Sequence, residues 1–214
     1  AWETIHGGGS TLVIAPTGSG KTLAAFMHSI NRLFKERESS LRTSRGKQPK
    51  TATRILYISP LKALGADVQK NLGLPLRGIS AERERLGEPP IEISVGMRTG
   101  DTPAAERASL LRHPPDILIT TPESLYLMLT SKARETLRSV DTVIIDEVHA
   151  VAGTKRGAHL ALSLERLDLL LPSPAQRHGL SATVRPVERV AEFLGGAVPG
   201  PAVRRPSPRA PDPR

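Results

Sequence analysis

The segment Ala15–Thr22, which reads APTGSGKT, contains residue types that hold a nucleotide phosphate. It fits the pattern G-x-x-x-x-G-K-[ST], except that Ala15 stands in place of the first glycine. Glycines let backbone N–H groups close around phosphate oxygens, and a helix that begins here adds the positive end of its dipole. An ordinary glycine-rich turn is the alternative. It is disfavoured because an apolar strand pattern comes directly before the segment and a helical pattern directly after it.

Each residue of this segment has an expected role at the phosphates. Lys21 is expected to face solvent. Because it is also expected to reach the β- and γ-phosphates, it is predicted to be a catalytic as well as a binding residue. The Thr22 hydroxyl is expected to ligate Mg²⁺. The other nucleotide-binding residues are those of the loop itself, namely Thr17, Gly18, Ser19 and Gly20.

A second candidate is Val143–His149, an apolar run that ends in two neighbouring carboxylates. Asp146 is expected to bind the nucleotide and to hold Mg²⁺ together with Thr22, as a carboxylate at a strand tip does in P-loop enzymes. Glu147 is expected to orient and deprotonate the attacking water. A solvated strand end is the alternative, and the phosphate-binding segment earlier in the chain favours the catalytic interpretation. As a lone histidine, His149 is consistent with a packed core residue or a metal ligand, and a metal role is not predicted because no second histidine stands at a zinc-binding spacing.

Apolar runs alternate with helical patterns along the chain, which is typical of βα units around a parallel sheet. Several runs are nearly continuous Val, Ile and Leu, as expected when helices cover both faces of a sheet. The predicted strands are Thr11–Ala15, Arg54–Ser59, Ile91–Gly96, Asp116–Thr120, Thr142–Asp146 and His178–Ala182. The predicted helices are Thr22–Phe34, Leu61–Leu72, Pro103–Leu111, Ser124–Leu129, Ala158–Leu170 and Val187–Leu194. The sequence therefore predicts an α/β domain, a parallel sheet with helices on both faces.

The length of 214 residues predicts one domain, 1–198, followed by a Pro- and Arg-rich linker or disordered tail at 199–214. The net charge of +9 comes from two segments, 32–54 and 201–214, and the remaining residues are neutral overall. Because such charge runs are usually solvated, we interpret residues 35–53 as a basic loop rather than as a specific nucleic-acid site. An aromatic content of 3% also argues against broad base-stacking platforms.

The composition also gives an indication of the cellular compartment. The chain contains no Cys, which excludes disulfides, thiolate metal sites and Cys nucleophiles and fits a reducing compartment. No apolar run approaches the roughly 18 residues of a membrane span, and the first residues lack a signal-peptide pattern. We therefore expect a cytoplasmic protein without a membrane partner. The chain begins at Ala1 rather than at a methionine, which suggests a fragment.

Taken in order, these segments resemble the first RecA-like domain of a superfamily 2 helicase. Asp146–His149 reads DEVH, a variant of the DEAD box, and Ser181–Thr183 matches motif III, a segment that means nothing by itself. Ala15 in place of the first glycine is common in that superfamily. The resemblance implies that ATP is the nucleotide. It also implies three coupling residues that relay the nucleotide state to nucleic-acid loops: His149, Ser181 and Thr183.

Three further segments resemble the nucleic-acid loops of that superfamily. Ser59–Leu64 is similar to motif Ia, Arg98–Asp101 to the conserved loop that follows it, and Thr121–Leu125 to motif Ib. In the superfamily these loops grip the sugar–phosphate backbone of one strand. The resemblance therefore implies backbone contacts at Pro60, Lys62, Arg98, Gly100, Thr121 and Pro122. For Lys62 and Arg98 ordinary surface charge is the alternative.

The resemblance narrows to the Lhr (large helicase-related) family over roughly residues 2–195, through Asp146–Leu167 and the segments SPLKAL and RTGDT. Members of that family are 3′-to-5′ DNA translocases that unwind DNA or RNA:DNA duplexes and are linked to DNA repair. The implied partners are single-stranded DNA or an RNA:DNA hybrid and a second RecA-like domain of the same full-length chain, with its arginine fingers. Because ATP is hydrolysed between the two domains, an isolated first half is expected to be weakly active or inactive. A Gln-containing adenine-reading motif is expected just before Ala1.

Two other functional classes stay open at this stage. A non-translocating, nucleic-acid-gated ATPase switch or clamp would carry the same motifs, because one motor half does not separate stepping from clamping. A P-loop kinase or small-molecule ATPase would need no nucleic acid, and the segments that resemble motifs Ia and Ib argue against it.

Overall fold

Six parallel strands form one sheet in the computed structural model, which describes residues 2–16, 18–43, 51–182 and 187–195. The strand order across the sheet is β1-β6-β5-β2-β4-β3. Every neighbouring pair is parallel, which confirms the predicted sheet. The strands are β1 (Thr11–Ile14), β2 (Ile55–Ile58), β3 (Val95–Arg98), β4 (Ile117–Thr120), β5 (Thr142–Ile145) and β6 (Gln176–Ser181).

Helices cover both faces of this sheet. They are α1 (Trp2–His6), α2 (Lys21–Thr43), α3 (Lys62–Arg85), α4 (Ala104–Arg112), α5 (Pro122–Leu129), α6 (Val148–Val151), α7 (Lys155–Leu170) and α8 (Val187–Gly195), with a short 3₁₀ helix at Lys132–Leu137. One core packs α2 and α3 against Ile55, Tyr57 and Ile144. The other packs α5, α6, α7 and α8 against Leu56, Val143 and Ile145. Adjacent strand residues point to opposite faces, so continuous apolar runs supply both cores.

Two predicted boundaries, the end of α3 and the start of β3, are wrong. Helix α3 continues to Arg85 rather than ending at Leu72, even though Pro75 lies inside it. Val68, Leu72 and Leu76 form one buried stripe along α3, so packing outweighs the loss of the N–H group at the proline. Strand β3 begins at Val95 instead of Ile91.

The predicted basic loop at 35–53 is also partly wrong, because α2 continues from Phe34 to Thr43. Arg37 in that helix is buried and forms an ion pair with Asp116. Arg54 Nη2 lies 2.7 Å from an Asp141 carboxylate oxygen, and Arg32 pairs with the same carboxylate. The acidic partners come from outside the basic segment, so counting charges along the chain does not find them.

The structure describes only part of the remainder of that predicted loop. Residues 51–53 have no regular structure, and 44–50 lie outside the described residues. The predicted tail at 199–214 also lies outside them. Among the described helices, none is long and apolar enough to cross a membrane.

One titratable side chain is buried in the centre of the sheet without a polar partner. His178 lies on β6 between Thr11 and Ile144 of the neighbouring strands and is 0% exposed. Neither of its ring nitrogens makes a hydrogen bond. Burial, followed by the charges of His28 and Arg32, lowers the pKa of His178 from 6.5 to about 4. The fold therefore requires this imidazole to be neutral.

We predict that His178 makes the fold sensitive to acid. The unfolded chain binds a proton on this side chain near pH 6.5, whereas the folded chain binds it only near pH 4. The contribution of neutral His178 to the free energy of unfolding is therefore fully present above pH 6.5. It falls by up to about 3 kcal/mol as the pH drops towards 4. Thermal unfolding at pH 7.5 and pH 5 should show a smaller pH effect in His178→Leu than in the wild type. The exposed His113→Gln is the control, and an equal pH effect in all three proteins would contradict the prediction.

Candidate functional site

All six strands end at the same edge of the sheet, and every predicted functional segment follows a strand end. Ile14 lies beside Ser181, Ile58 beside both Ile145 and Thr120, and Arg98 beside Thr120. Parallel pairing therefore brings the phosphate-binding segment, the DEVH segment and the three predicted nucleic-acid loops to one surface.

The phosphate-binding segment connects β1 to α2. Gly18 and Gly20 have φ angles of +80° and +82°, a left-handed conformation that favours glycine and explains their positions in the loop. Lys21 does not face solvent as expected, because it is only 8% exposed. Its ammonium group donates hydrogen bonds to the carbonyls of Ala15 at 2.6 Å and Pro16 at 2.9 Å. The lysine is thus folded back inside its own loop, where a phosphate would compete for the same donor. Thr17 lies outside the described residues.

Asp146 is held at the tip of β5 by two hydrogen bonds to its carboxylate. One oxygen accepts the backbone N–H of Glu147 at 2.9 Å, and the other accepts the hydroxyl of Tyr57. Tyr57 is fully buried and stacks on Phe26, with ring centroids 5.2 Å apart. Burial raises the pKa of the Tyr57 hydroxyl well above its ordinary range, and the Asp146 charge adds to that effect. The hydroxyl therefore stays protonated and acts as a permanent donor to Asp146.

Glu147 lies in a strained turn directly after Asp146. Its φ of 44° and ψ of 46° are left-handed, and no other described non-glycine residue has a positive φ. Such a conformation costs about 1–2 kcal/mol and is kept only where the surroundings hold it. Here the Asp146 carboxylate holds the Glu147 N–H, and α6 begins immediately afterwards. The turn directs the chain from the buried strand into the helix that carries His149.

The structure brings two of the predicted coupling residues into contact. His149 Nδ1 lies 3.2 Å from the Ser181 hydroxyl, 3.3 Å from the Ala182 N–H and 3.4 Å from a Glu147 carboxylate oxygen. The Ala182 N–H can only donate, so His149 Nδ1 is the acceptor in that hydrogen bond. His149 thus connects the DEVH segment to the end of β6. Thr183, the third predicted coupling residue, lies outside the described residues.

A cavity of about 510 Å³ opens between the start of α2, the tip of β5 and the middle of α3. Its polar side contains Lys21, Thr22, Asp146 and Glu147. Its other side is more apolar and is contributed by α3 through Val68, Leu72, Leu74 and Pro75. The sequence did not predict the part of this wall that comes from Leu74 and Pro75, because the helix was expected to end at Leu72.

The polar side fits a hard cation. The Thr22 hydroxyl and the Asp146 carboxylate offer only oxygen ligands, which is the donor set that Mg²⁺ prefers. The described residues contain no group of three or more His, Cys, Asp or Glu side chains that could hold a metal by themselves. Mg²⁺ bound through one carboxylate, waters and nucleotide phosphates is consistent with that finding.

The predicted nucleic-acid residues differ in exposure. Lys62 is exposed and donates a hydrogen bond to Asp101 at 2.6 Å, which lowers the pKa of the Asp101 carboxyl. Gly100 is exposed beside it. Arg98 is half-buried and lines a small cavity with apolar side chains under the sheet. Burial and, after it, the charge of Arg107 lower the pKa of Arg98. The contact predicted for Arg98 stays a prediction.

The segment at Thr121 leads into α5, which begins at Pro122, two residues before the predicted start at Ser124. The Thr121 hydroxyl accepts the backbone N–H of Ser124 at 3.3 Å, and Pro122 occupies the start of the helix. Thr121 is half-buried, whereas Pro122 and Pro60 are buried. The two prolines therefore shape their loops from within, and contacts at these positions stay predictions.

Sequence reasoning missed three side chains that hold this edge together. Tyr57 donates to Asp146, Arg156 pairs with Glu123, and Arg107 donates to the carbonyls of Thr102 at 2.7 Å and Gly100 at 2.6 Å. Arginines on exposed helices give no signal in a single sequence. Tyr57 had a weak one, because a polar hydroxyl in an otherwise apolar strand requires a partner.

The sequence was compared with protein families and curated proteins. A family profile described as DEAD/DEAH box helicase matches residues 1–190. The chain is 63% identical over 210 residues to the Lhr helicase/uracil glycosylase of Escherichia coli strain K12. That match covers 98% of this chain and 14% of the relative, so the chain spans about a seventh of the relative's length.

Solved structures show the same relationship. The Mycobacterium smegmatis helicase Lhr, bound to ssDNA and AMP-PNP, matches with a TM-score of 0.83 and 62% identity, over 92% of this chain and 24% of that one. The DUF1998 helicase MrfA matches with a TM-score of 0.68 and 24% identity, over 91% of this chain and 27% of that one, and supports the fold alone. The fold is RecA-like, as the sequence predicted.

We predict opposite effects of one substitution at two helical glycines. A Cβ at Gly157, in the first turn of α7, would lie 2.0 Å from the Val151 carbonyl oxygen. Gly157→Ala must therefore push α7 away from α6, and we expect the thermal midpoint to fall by about 5 °C or more. A Cβ at Gly78 in α3 meets nothing within 4 Å. Gly78→Ala should raise stability by about 0.5–1 kcal/mol through helix propensity, and a stabilised Gly157→Ala would contradict the close packing.

Proposed function

The chain belongs to the DEAD/DEAH box helicase family, and from this membership we propose that it is the ATP-binding motor domain of an Lhr-type, ATP-dependent nucleic-acid helicase or translocase. One observation carries the proposal. Lys21, Thr22, Asp146 and Glu147 meet in a single cavity, at the same sheet edge as the three loops proposed to hold nucleic acid.

Each side chain of the cavity has a role in ATP hydrolysis. The Lys21 ammonium leaves its loop carbonyls to bind the β- and γ-phosphates, and the loop N–H groups bind the remaining phosphate oxygens. Thr22 and Asp146 hold Mg²⁺, which neutralises phosphate charge when bound. Glu147 accepts a proton from the water that attacks the γ-phosphorus, and ADP leaves with the electron pair of the broken P–O bond. His149 moves when Glu147 moves, and it transmits this movement to Ser181 and Thr183.

Hydrolysis requires a second RecA-like domain in this proposal. The chain spans 14% of the Escherichia coli relative and 24% of the solved Mycobacterium smegmatis chain, so both have room for further domains. None of the described residues that line the cavity is an arginine, so they supply no guanidinium for the γ-phosphate. We place the arginine fingers on the second domain, and the first half alone should hydrolyse ATP slowly or not at all.

Nucleic acid is the proposed partner at the loops that follow β2, β3 and β4. Lys62, Gly100 and Thr121 are accessible there and contact the backbone of one strand, whereas Pro60, Arg98 and Pro122 act mainly by shaping the loops. Backbone contacts position a strand without reading its sequence. We propose single-stranded DNA or the DNA strand of an RNA:DNA hybrid as the track, 3′-to-5′ movement, and a role in DNA repair. These three points follow from the resemblance to the Lhr family, as does a cytoplasmic location.

A nucleic-acid-gated switch or clamp is the second candidate function. The ion pair between Lys62 and Asp101 favours it, because that contact joins the segments that follow β2 and β3. Breaking and remaking one such contact could hold a strand without moving along it.

Substitution of Tyr57 tests the role of Asp146. Tyr57→Phe fills the same space but removes the hydroxyl that orients the carboxylate, so we expect the Mg²⁺ concentration for half-maximal ATPase activity of the full-length protein to rise about tenfold. Tyr126→Phe removes a hydroxyl from outside the cavity and should leave the Mg²⁺ dependence unchanged. An unchanged dependence in Tyr57→Phe would show that the hydroxyl does not orient Asp146 for metal binding.

The proposed function itself is tested by unwinding. The full-length protein should separate duplexes with a 3′ single-stranded tail, made of DNA or of RNA paired with DNA, and should need ATP to do so. Glu147→Gln should lose hydrolysis by about 10²-fold or more but still bind ATP and ssDNA, because only the base is removed. The exposed Glu92→Gln is the matched control.

The alternatives give different results in the same assay. ATP-dependent retention of DNA without strand separation would favour the clamp. ATPase activity that ignores nucleic acid would favour a small-molecule ATPase and contradict both proposals. Loss of ATP binding in Glu147→Gln would make Glu147 a binding residue rather than the base.

A further inference from the structure

A bidentate ion pair joins the first turn of α7 to the first turn of α5. Arg156 Nε and Nη2 donate to the two carboxylate oxygens of Glu123, at 2.5 Å and 3.0 Å. A guanidinium fork on a carboxylate fixes the orientation of both groups. The hydrogen bond from Arg156 is the main cause that lowers the pKa of the Glu123 carboxyl. One turn further along, the rings of Tyr126 and His159 pack 4.7 Å apart, so the two helices stay in contact below the ion pair.

Glu123 belongs to the loop proposed to hold nucleic acid. It lies two residues after Thr121, in the first turn of α5, which the Thr121 hydroxyl caps by accepting the Ser124 N–H at 3.3 Å. Any force that moves the Glu123 carboxylate therefore moves the Thr121 hydroxyl and the start of α5 with it.

Arg156 belongs to the chain segment that carries the hydrolytic carboxylate. Helix α6 starts directly after Glu147, and α7 starts four residues after α6 ends. The Thr154 hydroxyl between them donates to the Val151 carbonyl at 2.7 Å and accepts the Gly157 N–H at 3.0 Å. The missing side chain of Gly157 lets the first turn of α7 lie against that carbonyl. The segment from Glu147 to Arg156 is thus braced as one unit.

Stability does not account for this ion pair. The Arg156 and Glu123 side chains are 38% and 55% exposed, and exposed pairs contribute little to folding. A second bidentate pair, Arg138 with Glu135, is similarly exposed at 52% and 54%. It joins Glu135 in the 3₁₀ helix to Arg138 at its end, shortly before β5 begins and thus at the opposite edge of the sheet from the site. It therefore serves as a matched control.

We propose that Arg156 is a positioning residue that couples the two sites, because its ion pair with Glu123 ties the Thr121 loop to the braced segment that begins at Glu147. The inference rests on the proposed function and adds a specific connection to it. A change at Glu147 on nucleotide binding displaces the start of α7, Arg156 draws Glu123 with it, and the Thr121 loop changes its grip on the nucleic-acid backbone.

The experiment measures the coupling itself in the full-length protein. The dissociation constant of a fluorescent single-stranded DNA is determined with and without AMP-PNP, and the ratio of the two constants is the coupling factor. Arg156→Ala should reduce the coupling factor by at least about fivefold, so that it approaches one. Arg156→Lys, which keeps the charge and loses the fork, should have an intermediate factor. Arg138→Ala should keep the wild-type factor.

A double-mutant cycle shows whether the effect runs through the ion pair. Glu123→Gln keeps the side-chain size and should lower the coupling factor by itself. Adding Arg156→Ala to Glu123→Gln should then change the factor little further. Thermal midpoints of all variants should stay close to the wild-type value. If Arg156→Ala lowers the thermal midpoint, the coupling factor of Glu123→Gln decides whether the ion pair couples the two sites.

Other outcomes overturn the inference. Arg156→Ala with an undiminished coupling factor rejects it, and so do additive effects in the cycle. Equal weakening of DNA binding with and without AMP-PNP would make Arg156 a direct phosphate contact instead. A wild-type protein whose DNA affinity ignores AMP-PNP would instead reject the proposed function, because it would have no coupling to lose.

Discussion

Parallel pairing of all six strands is the constraint on which the site depends. Strands that run in one direction end at one edge, so segments far apart in the chain, such as Ala15–Thr22 and Asp146–His149, become neighbours. The same arrangement requires a crossover connection between strands, and those crossovers place helices on both faces. Strands buried on both faces must be apolar throughout, and polar side chains are therefore concentrated where each strand ends. Fold and site thus have one physical origin.

The carboxylate of Asp146 shows how the fold supports a charge at this edge. Asp146 is 7% exposed and follows a strand that is fully buried, so its charge needs partners. Tyr57 from β2 and the Glu147 N–H supply them. The left-handed turn at Glu147 is held by the second of these bonds, and His149 and Ser181 meet only because that turn starts α6 in the right direction. Hydrogen bonds thus hold the Asp146 carboxylate and the turn at Glu147 in place.

The distribution of charged residues along the sequence does not show how charge is distributed in the folded domain. The basic segment 32–54 has an excess of positive residues in the sequence, yet Arg32 and Arg54 pair with Asp141, and Arg37 is buried against Asp116. These pairs fasten α2 and β2 to the starts of other strands, at the edge opposite the site. The positive residue proposed to contact nucleic acid, Lys62, lies outside this segment, just after β2. Net charge was therefore a weak guide to the proposed binding surface.

The sequence by itself determined the fold class, the parallel sheet and the order of its motifs, because apolar periodicity and glycine and proline positions act over short distances. It identified Lys21, Thr22, Asp146 and Glu147, which the structure brings into one cavity. It did not determine that α3 continues past Pro75, that Lys21 lies inside its loop, or that Tyr57 and Arg156 have carboxylate partners. Only the tertiary structure decided these features, because each depends on packing or hydrogen bonding between residues distant in the chain, and a local pattern contains no record of such contacts.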